Sequence, residues 1–220
     1  MLRRMESQPY EDILIRSRAT ILEMLEDRGF DTTRYAKLTG PDILKLLPDA
    51  KNPGGLMMDV SHRTDPERRA VVLYNTQRIK QSVTQYIKTI VDNEENTPEK
   101  IKKTDYIVIT LPLEEIAETF DKAALDAWRK HQMRIQFFNM ARLVLNPMKH
   151  ITQPKFEYVP PEEHTELLKQ WHCRTKTQFP LIRFHNDPVA RYMGLIPGDI
   201  VKITRTSYSA GEYILYRLCT

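Results

Sequence analysis

Apolar residues recur at Tyr10, Ile13, Leu14, Ile21, Leu22 and Leu25, the spacing of one helix face. The pattern predicts an opening helix that Asp27-Arg28-Gly29-Phe30 ends, with Gly29 as the C-terminal cap. A second, short helix is expected from Thr39 or Pro41, burying Ile43, Leu44, Leu46 and Leu47 before the breaker Lys51-Asn52-Pro53-Gly54-Gly55. Residues 57–60 and 70–74 are short apolar runs of strand type, split by the charged turn 62–69. Thr76 is placed to cap a helix with Ile79, Val83, Ile87 and Ile90 on one face, and the polar stretch 92–104 predicts a surface loop. Residues 106–109 form a buried strand that Leu111-Pro112 ends, and a helix over 113–130 presents Ile116, Phe120, Ala124 and Trp128. Residues 133–138 and 143–145 complete an α/β or α+β unit in which helices cover a mixed sheet.

Asn146-Pro147, Gln153-Pro154 and Pro160-Pro161 punctuate the next stretch and set a domain boundary between residues 146 and 160. Two domains are expected, over 1–150 and 151–220. In the second, Pro160-Pro161-Glu162-Glu163 starts a helix with the stripe Leu167, Leu168 and Trp171. Asp187-Pro188 opens a short helix that Gly194 closes. Pro197-Gly198 turns the chain into a strand over 199–205, and 207–211 links it to a partner over 213–218. The tail is thus a small α+β module of about 60 residues, near the lower size at which a core is stable unaided.

Composition narrows the function. Hydrophobic residues at 41% and aromatics at 9% suffice for a packed core and exclude disorder throughout. No apolar run reaches the roughly 20 residues that cross a bilayer, and Met1-Leu2-Arg3-Arg4-Met5-Glu6-Ser7 is not a signal core, so a soluble, non-secreted protein is expected. Cys173 and Cys219 are too few for a disulfide framework. The formal charge of +4 is a mild bias that could favour a polyanion but lacks the strength of a dedicated DNA-binding domain, and it is split evenly: eight basic and six acidic residues from Pro160 onward against 25 and 23 before it.

Catalytic chemistry is thinly represented. His164, His172, Cys173 and His185 lack the paired short intervals of zinc fingers, and the adjacent pair His172 and Cys173 lacks an orienting third group. Glycine-rich phosphate loops, Gly-x-Ser-x-Gly elbows and His-Glu-x-x-His motifs are all missing from the sequence. Pro48-Asp49-Ala50-Lys51 resembles a fragment of the carboxylate-and-lysine sets that nucleases use to hold Mg²⁺, with Asp59 the nominee for the missing second carboxylate; a solvated turn is the commoner explanation. No metal and no cofactor is expected.

The tail carries a more specific signal. Glu166-Leu167-Leu168-Lys169, Phe179-Pro180-x-Ile182, Asp187-Pro188-Val189-Ala190-Arg191-Tyr192-Met193-Gly194-Leu195, Pro197-Gly198-Asp199-x-Val201-Lys202-Ile203-x-Arg205 and Tyr213-x-x-Tyr216-Arg217 follow in order. This run resembles the fifth shared subunit of the eukaryotic nuclear RNA polymerases, whose C-terminal domain also stands alone as a small component of archaeal RNA polymerase. The first 160 residues are similar to the jaw domain of the eukaryotic family through Asp27-Arg28-Gly29-Phe30, Ile135-x-x-Phe138-Asn139 and Leu143-Val144-x-Asn146.

The resemblance implies a nuclear, noncatalytic, non-homo-oligomeric subunit of a DNA-dependent RNA polymerase, with a jaw-like domain over 1–150 and an assembly domain over 151–220. It implies docking on the largest subunit, beside the other polymerase subunits, and a jaw close to downstream double-stranded DNA. Asp187 and Pro188 read as a helix cap and first-turn proline. Together with Arg183, Arg191, Tyr192, Arg205, Tyr216 and Arg217 they form the candidate subunit interface, arginine and tyrosine being favoured interface anchors. In the family a Thr-Pro-Ser-Ala-like helix start approaches the DNA, and Leu111-Pro112-Leu113-Glu114 takes the corresponding place, with only Pro112 retained. Pro112 as a helix start facing a phosphate, helped by Lys100, Lys102 and Lys103 and opposed by Glu114 and Glu115, is the candidate DNA contact. Glu212 stands where the family often has a basic residue. The alternative is an independent nucleic-acid-binding or nuclease-like regulator.

Overall fold

The structure, a computed structural model, describes residues 10–46, 55–93, 97–207, 209 and 211–220. The described residues form two compact units, divided between Asn146 and Pro147. Both are mixed α/β, so the protein is α+β with a mixed sheet in each unit.

The first unit opens with α1 (Tyr10–Asp27), whose buried face includes Ile13, Leu14, Ile21, Met24 and Leu25. Gly29 follows at φ 87°, where a side chain is strained, and a Cβ there would stand 2.6 Å from His62 Nε2. Two short helices come next, α2 (Thr33–Ala36) and α3 (Gly40–Lys45). Thr39 and Asp42 cap α3 reciprocally; Ile43 is its buried residue, Leu44 and Leu46 are half-buried, and Leu47 and residues 51–54 lie outside the described residues.

The sheet runs β1 (Met58–Ser61), β2 (Arg69–Tyr74), β3 (Thr104–Thr110) and β4 (Arg134–Asn139) side by side in that order. β1 is antiparallel to β2, and the other pairs are parallel. Between β2 and β3 lie α4 (Val83–Val91) and α5 (Pro98–Lys103); α6 (Glu118–His131) joins β3 to β4. All seven residues of β3 are buried, as in a central strand covered on both faces. One face meets α6, where the Phe120 and Phe137 rings stand 5.0 Å apart. The other face meets α1, whose neighbour Arg28 donates to Gln136 Oε1 at 2.8 Å.

Four expectations for this unit need correction. The third helix starts at Val83 after Ser82, not at Thr76. The expected loop over 92–104 contains α5, capped by Thr97 and anchored by buried Ile101. Residues 143–145 add no strand: Met140–Val144 is a 3₁₀ segment capped by Asn139, whose Oδ1 accepts from Arg142 N at 3.2 Å. The helix expected from Leu113 begins at Glu118, because Leu111 to Ala117 are held as an extended turn.

The second unit is a sheet in the order β5 (Lys155–Val159), β7 (Ile200–Ser207), β8 (Gly211–Cys219), β6 (Leu181–Ile182). β7 and β8 form an antiparallel hairpin, β5 pairs antiparallel with β7, and β6 lies parallel to the end of β8. The strand β5 occupies part of the stretch read as a linker, because its partner β7 lies far downstream in the chain. The 3₁₀ turn Pro161–Glu163 leads into α7 (His164–Gln170), and Leu167 joins Val159, Phe179, Ile200 and Leu218 in a core. The helix α8 (Pro188–Met193) begins at Asp187 and ends at Gly194, φ 70°, whose amide and that of Leu195 close on Arg191 O and Ala190 O. Pro197 and Gly198, φ 101°, make the turn into β7, and the Asp199 carboxylate accepts from Ile196 N at 2.9 Å.

Candidate surfaces for DNA and subunit contact

The candidate DNA contact divides in two. Lys100, Lys102 and Lys103 belong to α5, which feeds directly into the start of β3. Pro112 follows the other end of β3, so the strand's length of about 20 Å separates it from the lysines. The lysines and Pro112 therefore do not form one site.

The Pro112 turn is also not a helix N-terminus. Asn139 Nδ2 donates to the carbonyls of Leu111 at 3.0 Å, Pro112 at 3.0 Å and Glu114 at 2.6 Å. Glu114 is 3% exposed, and its Oε1 accepts the amides of Ile79 at 2.8 Å and Lys80 at 2.7 Å. Glu114 thus acts as an internal clamp on the segment before α4 instead of opposing a phosphate. Leu113 is left 79% exposed at the tip. The true start of α6 lies at Ala117, which has no side-chain cap, and its first turn carries Glu118 and Asp121. Acidic residues there satisfy the helix dipole and repel phosphate.

At the opposite end of β3 the charge is positive. Lys103 pairs with Glu67, which raises the lysine's pKa chiefly through their hydrogen bond; Lys102 is exposed and Lys100 half-buried. Beside them Asp105, 2% exposed, sits among Arg28 at 3.8 Å, Arg68 at 3.2 Å and Arg134 at 3.6 Å. The cluster joins residues from four separate segments, and only its fold position brings it together.

The nuclease nominees are not assembled. Asp59 is gripped by the guanidinium of Arg69, Nε to Oδ1 at 3.1 Å with a second bond from Nη2 to Oδ2, while Asp49 and Lys51 lie outside the described residues. Among the described residues no group of three or more His, Cys, Asp or Glu is arranged to hold a metal. His164 is buried with Nε2 3.0 Å from Val159 O, and His172 and His185 hold left-handed backbone positions at φ 51° and 59°.

The interface candidates of the second unit fall into two groups. Asp187 Oδ1 accepts from Val189 N at 2.8 Å and Ala190 N at 3.2 Å, the expected cap, with Pro188 in the first turn. Tyr192 is buried and offers a partner almost no surface. Tyr216 is half-buried against Trp171, 5.5 Å between ring centres, and Phe179 at 6.0 Å. Asp187, Pro188, Tyr192 and Tyr216 are thus engaged within the unit. Arg183 and Arg205 are exposed, and Arg191 is half-buried; Arg217 donates to Leu181 O at 3.2 Å, bracing β8 against β6.

The hairpin of the tail predicts a strand edge that could meet a partner without saying which strand carries it, and the structure has such an edge on the outer side of β8. The short β6 pairs with β8 only at Leu218 and Cys219, so the edge from Gly211 to Arg217 has no strand beside it among the described residues. Tyr213, 54% exposed, and Ile214 stand on it. The apolar run Tyr213-Ile214-Leu215-Tyr216 is the signal that points to it.

Fold and surfaces together define a two-unit α+β protein with a sheet in each unit and no assembled catalytic group among the described residues. The family model described as RNA polymerase Rpb5, C-terminal domain, matches residues 145–219. The DNA-directed RNA polymerases I, II, and III subunit rpabc1 of Dictyostelium discoideum is 31% identical over 215 residues, 95% of this chain and 99% of that protein. The corresponding RPABC1 of Caenorhabditis elegans is 30% identical over 211 residues, 93% of this chain and 94% of that protein. The DNA-directed RNA polymerase subunit Rpo5 of Nitrosopumilus maritimus is 47% identical over 68 residues, 31% of this chain and 80% of that protein. The chain belongs to the Rpb5 family of DNA-directed RNA polymerase subunits.

Proposed function

We propose that this chain is a noncatalytic subunit of a multisubunit DNA-dependent RNA polymerase in the nucleus, assembling with other polymerase subunits. In this reading the second unit docks on the largest subunit and the first unit forms part of the downstream-DNA jaw. The observation that carries it is the contrast between the two matches: the archaeal Rpo5 is covered to 80% by only 68 residues, while the eukaryotic relatives span nearly the whole chain. A protein of about the second unit's length is thus a polymerase subunit in its own right, which supports giving assembly to the second unit.

The physical features of the second unit support docking. An open strand edge offers backbone hydrogen bonds to a partner strand, and Tyr213 and Ile214 supply apolar area beside it. A sheet of this size has little surface for a catalytic cleft.

Affinity purification of the full-length chain from nuclear extract tests the reading. Polymerase subunits should copurify at one copy of this chain per enzyme. Ile214→Lys in β8 should displace the chain, whereas Lys102→Glu in α5 should leave assembly intact. Recovery without any polymerase subunit would overturn the proposal, and an assembled Ile214→Lys variant would move the docking surface elsewhere.

A further inference from the structure

We propose that the outer edge of β1 is a pairing surface for a second copy of this chain, and that the Tyr35 hydroxyl keeps it closed in the free protein.

β1 is the end strand of its sheet, with β2 on one side only. The alternation of an antiparallel strand fixes which backbone groups face outward: His62 N donates inward to Arg68 O at 2.9 Å, so Asp59, Ser61 and Arg63 direct theirs away from β2. These groups meet residues 29–35 one after another. Arg63 N donates to Gly29 O at 3.0 Å and Asp31 N donates to Ser61 O at 2.9 Å, on either side of the bridge between Phe30 and His62. At Asp59 a side chain takes over from the backbone. The Tyr35 hydroxyl accepts from Asp59 N at 3.1 Å and donates to Asp59 O at 3.3 Å.

Donating and accepting at one residue copies the two bonds that a residue on a neighbouring antiparallel strand would exchange with it. Water satisfies an exposed edge about as well, so a fixed hydroxyl gains little against solvent; what it excludes is another strand. Tyr35 is half-buried on α2, a helix with no buried residue, so the guard is lightly anchored.

A second copy fits this edge by symmetry. Met57, just before β1, and Asp59 stand two residues apart on the same side of the strand. A two-fold axis through Met58 sets Met57 of each copy against Asp59 of the other, and the two pairs exchange all their outward N–H and C=O groups. In that register the two Asp59 carboxylates do not oppose each other, each stays with its own Arg69, and Met57, 48% exposed, gains apolar contact. The bond at Ser61 confines the pairing to this short stretch, so the dimer is weak and the hydroxyl suffices to prevent it.

Sedimentation velocity of the full-length chain, with amide hydrogen exchange at Asp59, tests the inference. The parent chain should stay monomeric, with the Asp59 amide protected at every concentration. Tyr35→Ala should dimerise with a Kd between about 10 and 300 µM. Its Asp59 amide should exchange at least about tenfold faster than in the parent chain when dilute and slow again when concentrated. Asp59→Pro added to Tyr35→Ala should restore the monomer, because proline removes an outward N–H and leaves the bonds to β2 in place. Should Tyr35→Ala fail to fold, Tyr35→Phe loses both bonds while keeping the ring and should give the same pattern. A folded variant that stays monomeric, a dimer whose Asp59 amide exchanges equally fast at both concentrations, a dimer that survives Asp59→Pro, or a dimeric parent chain would each overturn the inference.

Discussion

Asn139 donates to the backbone carbonyl of Glu114 at 2.6 Å, while the Glu114 side chain reaches back to accept the amides of Ile79 and Lys80. Two loops at one end of the sheet are therefore held through one strand-end amide and one buried carboxylate. Asn139→Ala removes the side-chain donor shared by three carbonyls and should lower stability by about 2 to 3 kcal/mol. Asn139→Asp should cost more, because its carboxylate would face those carbonyls. Urea denaturation reads both, the midpoint falling without a change in slope. An unshifted midpoint in Asn139→Ala would show that the turn holds without the clamp.

Asp105 gives a second expectation. Replacing it by Asn leaves Arg28, Arg68 and Arg134 around a neutral side chain, and removing one partner from a buried ion cluster typically costs about 3 to 5 kcal/mol. Thermal melting of Asp105→Asn should show the loss, and added phosphate should restore part of it by binding the freed guanidinium groups. A melting temperature equal to that of the parent chain would mean that the arginines are neutralised by other groups.

The elements legible in the sequence are those fixed by local chemistry. The period of Ile13, Leu14 and Ile21 marks α1, and Asp187-Pro188 with Gly194 brackets α8, because cap, first-turn proline and left-handed glycine lie within one short segment. Pro112 misleads because proline at a first turn is a sound helix signal, yet here Asn139, 27 residues away, takes up the carbonyls of that turn. Thr76 has the chemistry of a cap, but Glu114 already satisfies the amides of the segment that would begin the helix. The strand β5 lies hidden between prolines because its partner is β7. Of the surfaces, the lysines of α5 are visible as a charged run, whereas their neighbours Arg68 and Arg134 converge only through the parallel register of β2, β3 and β4.

The two cysteines should differ in alkali. Burial, followed by the charges of Asp199 and Asp187, pushes the Cys219 thiol up to about 12 from an ordinary value of 9.0. A raised thiol pKa means that the folded state holds the proton more tightly, so this stabilisation is complete below pH 9 and fades as pH rises towards 12. Cys173 is half-buried by comparison. Iodoacetamide at pH 8 should modify Cys173 well before Cys219 in the folded chain, with both reacting in denaturant. Equal rates in the folded state would contradict the buried, protonated Cys219.

Arg18 supports the least intuitive expectation. It lies in α1 with 2% of its surface exposed, and its Nε and Nη1 atoms have no hydrogen-bond partner among the described residues. Its guanidinium stands 5.8 Å from the centre of the Tyr35 ring, and burial lowers its pKa, countered by Tyr74 and Tyr35. A cation over an aromatic face returns about 0.5 to 2 kcal/mol, while burying an unpaired charge costs several kcal/mol. The balance favours an apolar side chain of similar length. Arg18→Met should therefore raise the urea midpoint, by the equivalent of about 1 kcal/mol, where most core substitutions lower it. A lowered midpoint would mean that an anion reaches Arg18 in solution, and added sulfate should then stabilise the parent chain more than the variant.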